Sequence, residues 1–361
     1  MTLLSRSFTA GALAAALLPA AALSAQTAPA ATVVPLTPAQ INAMLDPQMA
    51  NVIQAYTMIM GTPLIKLTPQ DARQQFSAQD AEKAVARATG AQLAPMPVGK
   101  VTDGVTIDGS DGNKIPVRIY TPKGDGPFPV VVYYHGGGFV VATVDTYDSS
   151  ARALCNFANA VVVSVEYRKA PEAPFPAALR DALAAYRWTL YNISGYDGNA
   201  SKVAVAGESA GGNLAAEVAI IAPNHGLRPP THQLLIYPET TNNLNQTSDI
   251  LYQNAIPLNT AALHYFDGFY LADPADRQST GAVPLLANVK GVAPATIIAA
   301  EIDPLQSDGQ VYAAKLKAAG VPVTYMLYTG VTHEFFGMGA IVDKALAAEK
   351  FGAAQLAASF K

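Results

Sequence analysis

The sequence predicts an α/β fold in which a mostly parallel central sheet is covered by helices on both faces. Three observations carry this expectation. From Pro129 onward, short apolar runs rich in β-branched residues recur near positions 130, 161, 203, 232, 295 and 323. Helix-compatible stretches separate them, and such strand–helix alternation is the pattern of a parallel sheet buried on both sides. Ahead of this region, Ile41, Met44, Leu45, Met49, Val52, Ile53, Tyr56 and Ile59 recur at threes and fours, the spacing of one helix face.

Taken in order, the chain opens with a stretch in which Arg6 is the only charged side chain before Asp46. An apolar run over 8–23 follows, then the small residues Ser24 and Ala25. Charged region, apolar region and small-residue site in that order predict a signal peptide over 1–25 and a periplasmic or secreted protein. The run is short for a membrane span, so no stable span is expected after cleavage. Cleavage would remove one positive charge from a formal net charge of -4. Residues 26–35 read as an Ala- and Pro-rich linker. Residues 36–98 read as a helical segment, with one helix along the apolar face to Ile59 and a second over 69–89; Pro95 and Pro97 close it. The remainder, 99–361, is expected to be the α/β domain. It begins with strands at 105–108 and 115–120, joined by the hairpin-like turn Gly109-Ser110-Asp111-Gly112-Asn113.

Composition narrows the function classes. With 361 residues, 50% of them hydrophobic, the chain can bury a large core. The negative formal charge offers no basic surface for nucleic acid. No phosphate loop and no Cys or His cluster is present, so neither a cofactor nor a metal is expected. The single Cys155 excludes an internal disulfide.

Chemistry concentrates in a few motifs. Gly207-Glu208-Ser209-Ala210-Gly211 follows the apolar run Val203-Ala204-Val205-Ala206 and precedes a helix-compatible stretch over 212–222. A G-x-S-x-G turn between strand and helix exposes a serine hydroxyl at the end of a sheet. Upstream, His135-Gly136-Gly137-Gly138 follows a run of valines and tyrosines. Consecutive glycines suit a loop whose N–H groups must approach a developing oxyanion. A serine nucleophile needs a base, and the base an orienting acid. Of the five histidines, only His333 lies beyond residue 264, just after the strand-like run 323–328. His225 and His232 flank a Pro-Pro turn and are expected to be solvated. His264 lies in an aromatic patch as a packing or rim residue, and His135 is expected to make a structural hydrogen bond. Asp303, at the end of the run 295–300, is the preferred acid; Asp308, placed to begin a helix, and Glu301, still within the strand, are its rivals.

Together these residues resemble the hormone-sensitive-lipase-like branch of the α/β-hydrolases, the bacterial carboxylesterases. The resemblance rests on His135-Gly136-Gly137-Gly138-Phe139, Tyr167-Arg168-Lys169-Ala170-Pro171-Glu172 with Phe175-Pro176-Ala177, Gly207-Glu208-Ser209-Ala210-Gly211-Gly212, Asp303-Pro304-Leu305, and His333. These motifs occur in family order and span about residues 100–340. The resemblance implies an α/β-hydrolase fold with a helical cap, built partly from 36–98; the Asn- and Tyr-rich segment 240–282 is expected to add to it. It implies Ser209 as nucleophile, Asp303 as acid and His333 as base. The oxyanion donors it implies are the backbone N–H groups of Gly137, Gly138 and Ala210. The expected function is hydrolysis of small-molecule carboxylic esters of short to medium acyl chain through an acyl-Ser209 intermediate. An amidase or deacetylase on the same triad, an acyl transferase and a non-catalytic ligand-binding protein are the alternatives.

Three positions depart from the family pattern. Lys169 stands where leucine is usual, Ala142 where glycine is common, and Glu334 where glycine usually follows the histidine. Glu334 is expected to point to solvent, although a carboxylate beside the base is able to shift its pKa. Met44, Met49, Met58 and Met60 read either as lining for an adaptable acyl pocket or as ordinary packing.

Overall fold

Residues 33–91 and 94–361 are described by the computed structural model; the expected signal peptide and residues 26–32 of the linker lie outside them. The strands are β1 (Lys100–Asp108), β2 (Lys114–Thr121), β3 (Phe128–Tyr134), β4 (Val161–Val165), β5 (Gly198–Glu208), β6 (Gln233–Ile236), β7 (Ala295–Ile302) and β8 (Val323–Thr332). They form one sheet in the order β1-β2-β4-β3-β5-β6-β7-β8. The first pairings, β1 with β2 and β2 with β4, are antiparallel, and all later ones are parallel. The hairpin read from Gly109 to Asn113 is the β1–β2 connection.

Alternation along each strand explains why both sides of the sheet are covered. Val130, Val132, Val161, Val163, Val203 and Val205 face one core, with Ala178 and Ala182 of α6 (Ala177–Asn192), Leu214 and Val218 of α7 (Ala210–Ile221) and Leu316 of α10 (Gln306–Ala318). Their neighbours Val131, Tyr133, Val162, Ala204 and Ala206 face the other core. There they meet Ala151 and Leu154 of α5 (Asp148–Ala158) and Ala345 and Ala348 of α11 (Asp343–Ser359). Every residue of β4 is buried. That is why its sequence, four valines with the single buried polar residue Ser164, shows no polar alternation. Burying one such valine contributes roughly 1.5–3 kcal/mol.

The N-terminal apolar face packs on this second core through Met49, Val52 and Ile53. It belongs to two helices, however, α1 (Pro38–Met44) and α2 (Pro47–Ile59). Pro47 has no N–H to donate and its ring would clash with a preceding helical carbonyl, so the helix restarts there. Asp46 caps the restart by accepting the Gln48 N–H at 3.1 Å, and its own N–H donates to the Gly330 carbonyl at 2.8 Å. The expected helix over 69–89 is likewise divided, into α3 (Pro69–Ala72) and α4 (Ala78–Thr89). Ser77 and Asp80 form a capping box that starts α4. Between 240 and 282 lie the short helix α8 (Thr247–Leu251) and α9 (Thr260–Tyr270). Among the described residues, no helix is long and apolar enough to cross a membrane.

Candidate active site

β5 ends at Glu208, α7 begins at Ala210, and Ser209 sits between them at φ 56°, ψ −120°. A non-glycine residue there is strained, at a cost of order 1–3 kcal/mol. The flanking glycines allow the sharp turn: a Cβ at Gly207 would lie 2.0 Å from the Gly211 carbonyl oxygen, and one at Gly211 would lie 2.0 Å from that of Tyr134. The second contact also packs the turn against the end of β3, where the glycine-rich loop starts. The Ser209 N–H donates to the Ile236 carbonyl at 2.9 Å, which fixes the turn to the neighbouring strand.

In that loop, Gly137 and Gly138 both have positive φ, 103° and 57°. The Gly137 carbonyl accepts the N–H groups of Val140 and Val141. Tyr167 donates its hydroxyl to the His135 carbonyl at 2.8 Å, and the His135 Nδ1–H donates to the Gly136 carbonyl at 2.7 Å. His135 is fully buried and stacked on Tyr167, and burial pulls its pKa down to about 4, so it is neutral and structural. The His135, Gly136 and Gly137 carbonyls are thus engaged. Ala210 opens α7, and the first N–H groups of a helix have no partner within it.

His333 directly follows β8, which runs to Thr332, four residues further than the run 323–328 suggested. The strand passes Gly330 by a local irregularity, and the Gly330 N–H donates to Glu301 Oε2 at 2.7 Å. Glu301 therefore serves the strand. The Ser209 hydroxyl donates to His333 Nε2 at 2.9 Å, and Nδ1–H donates to Asp303 Oδ2 at 2.7 Å. Asp303 is fully buried at the end of β7, and its Oδ1 accepts the Leu305 N–H at 2.9 Å. Burial pushes the imidazole pKa down, but Asp303 by charge and hydrogen bond, then Glu334 and Glu208 by charge, push it up. The outcome lies above the ordinary histidine value.

Glu334 does not point to solvent, contrary to the expectation from sequence. Both its carboxylate oxygens accept the Tyr147 hydroxyl at 2.7 Å, and Gln79 Nε2 donates at 3.1 Å. Oε1 stands 3.9 Å from His333 Nε2. Glu208, beside the serine, is buried and accepts the hydroxyls of Tyr133 at 2.5 Å and of Tyr237. Burial pushes its carboxyl up to about 8 against the pull of these phenols. The Tyr237 ring also packs on His333, with centroids 4.5 Å apart. None of Gln79, Tyr133, Tyr147 and Tyr237 was marked by a motif. The acidic residue within G-x-S-x-G was the one local sign of this network.

Ser209 is 6% exposed, and side chains from 36–98 and 240–282 reach the turns beside it, Gln79 at Glu334 and Phe266 at Gly138. A Cβ on Gly138 would fall 2.2 Å from the Phe266 ring of α9. Arg73 donates to the Val140 and Ala170 carbonyls, both at 2.8 Å, and to both carboxylate oxygens of Glu172. The Tyr265 hydroxyl donates to the Leu67 carbonyl at 3.2 Å, joining the two segments. Asp308 is taken up by the same cover: it accepts the N–H groups of Thr240 and Thr241 and the Gln246 amide.

The remaining candidates lie apart. His232 is buried, not solvated, with Nε2 2.9 Å from the Thr296 hydroxyl; His225 and His264 are exposed. The methionines do not converge, since Met49 is in the core, Met44 packs against the Ile41 cluster and Met58 is 74% exposed. A cavity of about 610 Å³ lies beside α4, lined by Gln79, Glu82, Arg118, Arg152 and Glu349 among others, and not by Ser209, Asp303 or His333.

Comparison with known proteins agrees with this geometry. A family model described as the alpha/beta hydrolase fold matches residues 131–337. The chain is 35% identical over 288 residues to an ethyl acetate hydrolase of Pseudomonas putida, covering 78% of this chain and 88% of that one. It is 38% identical over 304 residues to the carboxylesterase NlhH of Mycobacterium tuberculosis, covering 81% and 94%. Among solved structures it is similar to an esterase of Pyrobaculum calidifontis, with 35% identity and a TM-score of 0.77 over 87% of this chain and 98% of that one. With five motifs in order on a sheet of this topology, the chain belongs to the α/β-hydrolase family, in its hormone-sensitive-lipase-like branch, and is a carboxylic ester hydrolase.

Proposed function

We propose that Ser209, His333 and Asp303 are the nucleophile, base and acid of this hydrolase, acting on esters of short to medium acyl chain. The hydrogen-bond chain from Ser209 Oγ through both ring nitrogens of His333 to Asp303 carries the proposal. His333 takes the serine proton as Oγ attacks the ester carbonyl, and Asp303 holds the ring and stabilises its charged form. The N–H groups of Gly137, Gly138 and Ala210 receive the oxyanion; one such donor is worth about 2.7–4 kcal/mol of transition-state stabilisation. His333 then protonates the leaving alcohol. Water, activated by the same ring, releases the acid from acyl-Ser209.

The short acyl preference rests on the near-complete cover of Ser209 and on Phe266 against Gly138. We read 36–98 and 240–282 as that cover, the cap. Arg6, the apolar run 8–23 and Ser24-Ala25 support export to the periplasm or the medium, which N-terminal sequencing of protein from each fraction tests. Hydrolysis of p-nitrophenyl esters from acetate to palmitate, by wild type and Ser209→Ala, tests the mechanism. Expected are a short-chain maximum and at least about a 10⁴-fold loss of kcat in the variant. A long-chain maximum overturns the acyl preference, and an active variant overturns the nucleophile.

A further inference from the structure

The position of Glu334 bears on which alcohol the site accepts, and this step rests on the mechanism just proposed. His333 Nε2 must hand its proton to the leaving oxygen, so that oxygen comes within about 2.6–3.2 Å of Nε2. Glu334 Oε1 is 3.9 Å from the same nitrogen. The ester oxygen and the carboxylate are therefore no more than about 7 Å apart, one such contact plus the 3.9 Å separation end to end. A two-carbon arm ending in a donor, plus one hydrogen bond, spans roughly 6 Å.

The carboxylate is also built as an acceptor. An ionised carboxylate offers about four lone-pair sites. The Tyr147 hydroxyl and Gln79 Nε2 supply only two donors, and the side chain keeps 16% exposure, so acceptor capacity remains on its open side. Those two partners come from different parts of the fold, Tyr147 at the start of α5 and Gln79 on α4. Glu334 itself adopts φ 69°, where glycine is at ease and a side chain is not. The turn has no need of a side chain there, yet one is present and held from two sides.

We propose that Glu334 is a specificity-determining residue that favours esters whose alcohol part carries a hydrogen-bond donor, a hydroxyl or a protonated amine, two carbons from the ester oxygen. An alcohol carrying a carboxylate at that point meets a like charge and is disfavoured.

The test compares kcat/KM for matched acetate esters: 2-hydroxyethyl against propyl acetate, and protonated 2-(dimethylamino)ethyl against 3-methylbutyl acetate. Each value is divided by the rate of that ester's own hydroxide-catalysed hydrolysis, which removes leaving-group reactivity. Wild type is expected to prefer each donor ester about tenfold, the scale of a hydrogen bond to a charged group that keeps some solvent. Glu334→Gln, which keeps an acceptor but no charge, should lose the preference for the amine and part of that for the hydroxyl. Glu334→Gly, which suits the backbone, should bring both ratios within twofold of one. Wild-type ratios within twofold of one, or ratios unchanged in both variants, overturn the assignment. Ser209→Ala keeps the two readings apart: hydrolysis of all four esters through Ser209 at equal efficiency overturns the selectivity alone, whereas hydrolysis surviving in Ser209→Ala overturns both.

Discussion

Asp303 and Glu334 both bring a carboxylate to His333, one from the turn after β7 and the other from the turn after β8. Asp303 is fully buried, 2.7 Å from Nδ1, and also accepts a backbone N–H. Glu334 is partly open, 3.9 Å from the opposite nitrogen, and held by a phenol and an amide that come from elsewhere in the fold. The first arrangement fixes the ring's orientation and tautomer, since only a protonated Nδ1 satisfies it. The second makes no hydrogen bond to the ring and acts on it by charge alone, through partial solvent. Asp303 therefore orients the ring and does most to raise its pKa, and Glu334 adds a smaller upward push by charge.

The largest effect expected from this contrast is at Asp303. Asp303→Asn should lower kcat by about 10⁴-fold, because an amide at Nδ1 favours the wrong tautomer. A fall of less than tenfold in a folded variant would show that the tautomer and charge set at Nδ1 do not matter. Glu334→Gln should have a smaller, different effect, on the acid limb of kcat/KM. In the proposed mechanism the neutral ring is the base, so activity should fall as pH drops through the pKa of His333, which lies above the ordinary value. Glu334 is one of the groups holding it up, so its neutralisation should move that limb to lower pH while the plateau keeps its shape. A limb that stays in place, or moves upward, would break the comparison.

The smallest effect concerns burial of a carboxyl with no partner. Glu82 of α4 is 8% exposed beside the cavity, makes no side-chain hydrogen bond among the described residues, and is pushed by burial up to about 7. Its folded pKa lies above the ordinary glutamate value, so its favourable contribution is complete below that value and is lost as pH rises through about 7. Glu82→Gln should therefore reduce the fall in melting temperature between about pH 5 and about pH 8 by a few degrees, with little change at the lower pH. An equal fall in both proteins would mean that Glu82 titrates normally.

The sequence carried the sheet well, because a strand buried on both faces is mostly apolar, as at Val161-Val162-Val163. It misled at 41–59, where the apolar spacing continues across the break at Pro47 because both helices bury one side. His232 read as solvated beside two prolines, yet β6 begins directly after it and buries it against Thr296. Glu334 read as exposed because the side chains that hold it, Gln79 and Tyr147, are 255 and 187 residues away along the chain.

What the sequence determined by itself was local: β-branched runs that read as strands, a glycine at Gly207 where a Cβ would strike the Gly211 backbone of the same turn, and motifs spaced along the chain in one order. Such features follow from the conformational limits of neighbouring residues and need no distant partner. The tertiary structure alone decided which side chains meet. The joining of Arg73 to the Tyr167–Glu172 loop, the anchoring of 240–246 by Asp308, and the turning of Glu334 toward the base all depend on contacts between segments far apart in sequence. A buried polar group takes whichever partner the packed chain brings within reach, and that choice is made only once the sheet and its cover have closed on each other.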